Sequence, residues 1–200
     1  GSNATHPTGT WPAVASRMAD VDLTNLGLGA SALLDPLVAR AIRDLPADLI
    51  SLKIGINLVN KDLIRQRALA PALHGYLDTI RDGHATTPLW LVTPILCPIH
   101  EQTPGPSYPD EEAFARGEMR FVAVGSPDEV AHGKLTLEVI RDVIAEVVRE
   151  REDDHLYLLD GLGLYGVDDY DADPLPDGLH PGPQTHQLMG ERFARQVFGV

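Results

Sequence analysis

Cysteine is nearly absent from this sequence, with Cys97 the single example among 200 residues. One thiol excludes an internal disulfide framework and a cysteine-rich zinc site, and such usage favours the cytoplasm without fixing a compartment. Cations are also scarce: 16 Lys and Arg face 29 Asp and Glu, a net charge of −13. With a pI near 4.8 the surface repels phosphate backbones and anionic lipid, so neither nucleic acid nor a membrane is expected as partner. Small neutral substrates remain open. No stretch approaches the roughly 18 to 20 apolar residues of a membrane span, and no signal-peptide pattern is visible. Serine is restricted to Ser2, Ser16, Ser31, Ser51, Ser107 and Ser126, which limits the candidate nucleophiles. His84, His100, His132 and His186 include no pair at the spacing that puts two ligands on one helix face. The acidic run Asp168 to Asp173 lacks the alternation and distal glutamate of a calcium loop. Neither metal nor cofactor is therefore expected.

What is present suits one domain, since 44% of the residues are apolar. Gly1-Ser2-Asn3-Ala4 looks like the scar of a cleaved expression tag as readily as native sequence. Residues 1–9 are thus expected to be a tag-like or disordered end, and residues 10–200 the domain. Helical spacing runs over Trp11–Ala19, with Thr10 as cap, and over Leu37–Leu45. Val21–Leu26 is β-prone, followed by a loop from Gly27 to Ser31. Ala47–Ile54 reads as a buried strand stopped by Gly55-Ile56-Asn57. A helical stretch over Asp62–Arg81 is expected to break or kink at Pro71. Leu89–Ile95 is a third strand, and Pro98–Pro109 a proline-rich loop entering an acidic, mobile stretch up to Gly133, fit to form a lid or pocket edge. Lys134–Arg151 is the clearest helix, with Leu137, Ile140, Ile144 and Val148 on one stripe. Leu156–Leu159 is a fourth strand, followed by an aspartate-rich loop and a closing helix over Pro183–Phe198.

Strands separated by helical segments indicate an α/β chain, a parallel sheet with helices on both faces. The polar clusters at 27–31, 55–57, 93–100 and 160–180 each follow a strand, so they should share the carboxyl rim where ligands collect. Within the last lies Asp177-Gly178-Leu179-His180-Pro181. An acid three residues before a histidine lets the carboxylate hold one ring nitrogen while the other faces a substrate.

Three blocks together resemble the SGNH or GDSL family of serine esterases and acyltransferases. Asn25-Leu26-Gly27-Leu28-Gly29-Ala30-Ser31 with Leu34-Asp35-Pro36 is similar to its second block, Gly55-Ile56-Asn57 to its third, and Asp177-x-x-His180-Pro181 to its fifth. The resemblance implies a flavodoxin-like three-layer α/β/α fold with a mostly parallel sheet. It implies hydrolysis or transfer of a small acyl or acetyl ester through an acyl-enzyme. His180 would be the base and Asp177 its orienting partner. Asn57 and the N–H near Ala30 would form the oxyanion hole, with Gly29, Gly55 and Pro94 beside the substrate. Two departures stand out. The family has glycine where this chain has Ala30, a strained position if its φ is positive. The family's first block, a strand ending in G-D-S or G-S-S with the nucleophile, is not found. The resemblance places it just before Gly1, so the domain would lack its central strand. A missing N-terminal segment or another chain of an oligomer would then complete the sheet, or the sheet would be rearranged. A catalytically silent scaffold that binds a ligand or partner is the alternative. Ser31 lies on the right rim but reads more naturally as a loop or cap residue, and Cys97 as a structural thiol.

Overall fold

A computed structural model describes residues 2–200. Helix α1 spans Trp11–Ala19 with Pro12 in its first turn, where no intrahelical N–H is needed. Thr10 sits at the cap position, but its hydroxyl donates to the Pro7 carbonyl instead of capping. Helix α2 (Pro36–Asp44), strand β1 (Ile50–Lys53) and the short helix α3 (Ile56–Asn60) follow. Helix α4 (Gln66–Arg81) leads to strand β2 (Leu89–Val92). Next comes a small excursion of strand β3 (Ser107–Pro109), helix α5 (Glu111–Ala115) and strand β4 (Phe121–Ala123). Helix α6 (Leu137–Arg151), strand β5 (Leu156–Leu159), helix α7 (Val167–Ala172) and helix α8 (Pro183–Phe198) complete the chain.

Strands β1, β2 and β5 form one parallel sheet in that order, with Ile50 beside Leu89 and Leu89 beside Leu156. Each crossover carries at least one helix, as parallel neighbours require. The helices fall into two packed groups, α1 with α8 and α2 with α4 and α6. The first group is tight: a Cβ on Gly190 would lie 2.5 Å from the Val14 Cβ, so only glycine allows α1 and α8 to approach this closely. Helix α6 buries Leu137, Ile140, Val143, Ile144 and Val147 and is capped by the Thr136 hydroxyl, which accepts from the Val139 amide. This is the expected three-layer α/β/α architecture.

Four local expectations are corrected. Pro71 does not break α4, which runs through it as one helix. Val21–Leu26 forms no strand, and Val21, Leu23, Leu26 and Leu28 stay exposed. The physical reason is the lack of a neighbour, because β propensity alone does not satisfy backbone N–H and C=O groups. Among the described residues strand β1 correspondingly has its outer edge unpaired, and the Ser51 hydroxyl within it is buried without a partner. The 110–133 span folds into the β3–α5–β4 excursion and a 3-10 turn over Pro127–His132. The Asp168–Asp173 run is partly helical, because the Asp169 carboxylate accepts from the Gly166 amide and pairs with Arg192. Among the described residues no helix is long and apolar enough to cross a membrane.

Candidate active site

The turn after α7 is shaped by its own carboxylate. Asp177 Oδ1 accepts the backbone amides of Leu179 at 2.9 Å and His180 at 2.7 Å, which folds the chain back over the acid. Its Oδ2 then meets His180 Nδ1 at 2.8 Å. Burial pushes the Asp177 carboxyl up, but the His180 amide, the His180 ring and the Leu179 amide outweigh it and hold the group below its ordinary range. Asp177 is 8% exposed, whereas the His180 side chain keeps 31% of its surface open. A charged acid beneath a half-open imidazole fixes the tautomer with Nδ1–H on the acid and leaves Nε2 as a base.

The excursion supplies a residue that sequence reasoning missed. Phe121 stands edge-on to His180 with ring centroids 5.5 Å apart, and its amide donates to the Asp177 carbonyl at 2.8 Å. The only sequence cue was the short apolar run Phe121-Val122-Ala123-Val124 inside an otherwise charged span.

On the neighbouring strand end, Gly55 adopts φ 150° and ψ −75°, and α3 starts directly after it. Asn57, in the first turn of α3, accepts the Ala32 amide on Oδ1 at 3.1 Å. That bond orients the carboxamide, leaves Nδ2 without a protein partner among the described residues, and ties the Ala30 loop to the Gly55 turn. Ala30 has φ 56°, so the strained alternative for this position is the one realised. Gly29 is exposed in the same turn, with open space around its Cα. Replacing Ala30 with glycine is expected to stabilise the fold by about 0.5–1 kcal/mol, relief of left-handed strain outweighing the added freedom of the unfolded chain. A urea melt reads this, and a loss of stability would show that no strain is stored there.

The loop after β2 joins these parts. Pro94 packs on Gly55, and its carbonyl accepts Arg141 Nε at 3.0 Å. Arg141 also holds the Ile95 carbonyl and a two-pronged pair with Glu101, whose Oε1 accepts the Cys97 amide. Neither Arg141 nor Glu101 was singled out from sequence, and both brace the rim. Cys97 Sγ lies 3.6 Å from the Gly178 carbonyl, which links this loop to the His180 turn. Burial and nearby Glu101 push its thiol up to about 12, so it is not a nucleophile at neutral pH. His84, His100 and His186 each hold backbone carbonyls in separate places. A groove of about 930 Å³ runs past the Arg141–Glu101 and Arg192–Asp169 pairs, and His180 is not among its lining residues.

The chain superimposes along its whole length on a salicylyl-acyltransferase, SsfX3, from a tetracycline biosynthetic pathway, at 26% identity and a TM-score of 0.74. It also matches a GDSL-like lipase from Bacteroides ovatus at 19% identity and a TM-score of 0.68, over 98% of this chain. The fold is that of the SGNH/GDSL hydrolases. A family two carbohydrate esterase from Clostridium thermocellum, in complex with cellohexaose, shares it at 14% identity and a TM-score of 0.61 over 96% of this chain. The chain spans about half the length of these three proteins, 52%, 48% and 54% respectively. No family model matches the sequence, and no curated protein does. Within the SGNH/GDSL fold, one turn of this chain holds Asp177 against His180, and Asn57 binds the loop that follows Ala30.

Proposed function

We propose that this chain carries the base and oxyanion side of an SGNH-type ester hydrolase or acyltransferase site, acting on a small acyl or acetyl ester. The observation that carries this reading is the Asp177–His180 pair, closed at 2.8 Å on Nδ1, with Nε2 making no hydrogen bond among the described residues. His180 takes the proton of the attacking hydroxyl, and Asp177 holds the imidazolium that forms. Asn57 Nδ2 and the Ala30 N–H donate to the developing oxyanion, while Gly29, Gly55 and Pro94 line the approach. The resulting acyl-enzyme yields to water or to an acceptor alcohol. That the superimposed proteins include esterases and an acyltransferase supports the class of chemistry. The open edge of β1 supports completion of the sheet by a strand from elsewhere, either a preceding segment or a second chain.

A second reading, a silent scaffold that binds an ester-like ligand, is favoured by one specific contact. The side chain that reaches the Asp177 carboxylate from outside its own turn is the carboxamide of Asn3, not a hydroxyl. Hydrolysis of p-nitrophenyl acetate by the chain and by His180→Ala separates the two. The hydrolase reading expects the substitution to lower the rate about 10²-fold, the ordinary worth of a positioned base. Equal rates would leave the scaffold reading for the chain as it stands.

A further inference from the structure

Within the segment before Thr10, Asn3 reaches the site; Gly1 lies outside the described residues. Asn3 Nδ2 donates to Asp177 Oδ2 at 3.2 Å, the same oxygen that receives His180 Nδ1. Asn3 has φ 62°, a left-handed corner that asparagine tolerates better than most residues. The residue before it is clamped from the other side of the molecule. His186, only 3% exposed, places Nε2 3.1 Å from the Ser2 carbonyl and Nδ1 3.3 Å from the Trp11 amide. One ring nitrogen must donate to the carbonyl and the other accept the amide, so the tautomer is fixed with the proton on Nε2 and the ring neutral. Burial holds it so by pushing its pKa down. Trp11 in turn packs on Phe193, with ring centroids 5.2 Å apart. Helix α8 therefore sets where the Ser2–Asn3 corner sits.

We infer that residue 3 is the nucleophile position of this site, occupied in this chain by Asn3. The inference rests on the function proposed above. A nucleophile must lie within hydrogen-bonding reach of the pair that activates it, and in some hydrolase folds it projects from a sharp, strained corner. Among the described residues, Asn3 is the side chain outside the Asp177–His180 turn that hydrogen-bonds to that pair's side chains. Its carboxamide offers the imidazole no hydroxyl to deprotonate, and spends an N–H on the acid instead. Serine at this position carries the hydroxyl that the carboxamide lacks.

With Asn3→Ser, the introduced oxygen bonds to the ester carbonyl carbon as its proton passes to His180 Nε2. The carbon–alkoxide bond then breaks, and the leaving alcohol takes that proton. Water, deprotonated by the same nitrogen, releases the carboxylic acid and restores the hydroxyl. No oxidant or reductant is involved.

The test compares the chain, Asn3→Ser, Asn3→Ala and the double variant Asn3→Ser with His180→Ala on p-nitrophenyl acetate, with peptide mapping of the quenched reaction. Asn3→Ser is expected to raise kcat/KM about 10²-fold or more over the parent and to carry acetyl on residue 3. The double variant loses the gain, and Asn3→Ala shows none. A folded Asn3→Ser protein, judged by circular dichroism and Tm, with the parent rate and no acetylated residue 3 overturns the inference. An equal gain in Asn3→Ala also overturns it, since unblocking would then be the cause. A parent rate that depends on His180 beside an unresponsive Asn3→Ser leaves the hydrolase reading standing and removes position 3 from it. A parent rate indifferent to His180, with His180-dependent turnover in Asn3→Ser, upholds the inference and makes the natural chain the silent form.

Discussion

Gly55→Ala is expected to destabilise the chain by about 3–5 kcal/mol, from backbone strain and overpacking acting at one atom. The φ of 150° lies in a region that side-chain-bearing residues rarely adopt. A Cβ there would also fall 2.4 Å from Pro94 Cγ and within 3.3 Å of two further ring atoms. The proline cannot swing aside, since its ring is rigid and its carbonyl is held by Arg141. Relief would have to come from pulling the end of β1 away from β2, which breaks the parallel pairing of Lys53 with Val92 and displaces Asn57. Against a total stability of roughly 5–15 kcal/mol for a domain, the urea midpoint should fall steeply. An unchanged midpoint would show that the turn re-forms without strain.

Asp177→Asn is expected to cost about 2–3 kcal/mol at neutral pH, the worth of hydrogen bonds to a buried charge. The carboxylate accepts from two backbone amides, the His180 ring and Asn3, and an amide must turn its own N–H₂ toward some of those donors. The pH dependence follows from the direction of the shift. The folded carboxyl sits below its ordinary value, so its contribution is complete above the unfolded pKa of about 3.9 and is lost as pH falls through the folded value. The stability gap between parent and variant should therefore close in acid. A gap that stays constant down to about pH 2 would mean the carboxylate's charge is not what holds the turn.

The geometry of the Asp177–His180 turn was legible because its signals are local. Asp177 and His180 are three residues apart, and the turn between them is closed by the acid's own bonds to amides two and three residues on. Helix α8 and strand β5 matched their sequence ranges, since period and punctuation agreed there. What escaped is carried by contacts between distant segments. Phe121 meets His180 only because β4 pairs with β3 and delivers its amide to Asp177. Val21–Leu26 has strand composition yet no strand, because pairing is supplied by a neighbour and composition cannot report one. The Asn3 contact spans 174 positions and depends on a histidine of α8, so nothing within the first ten residues announced it.

The two tryptophans fall in different parts of this molecule. Trp90 lies in the sheet, stacked on Tyr157 at 4.9 Å, while Trp11 starts α1 and lends its amide to the histidine that clamps the N-terminal corner. The chain thus carries a pair of intrinsic optical labels. With Trp90 changed to phenylalanine, the remaining indole emission would report the state of the corner beside the dyad, separately from the unfolding of the sheet.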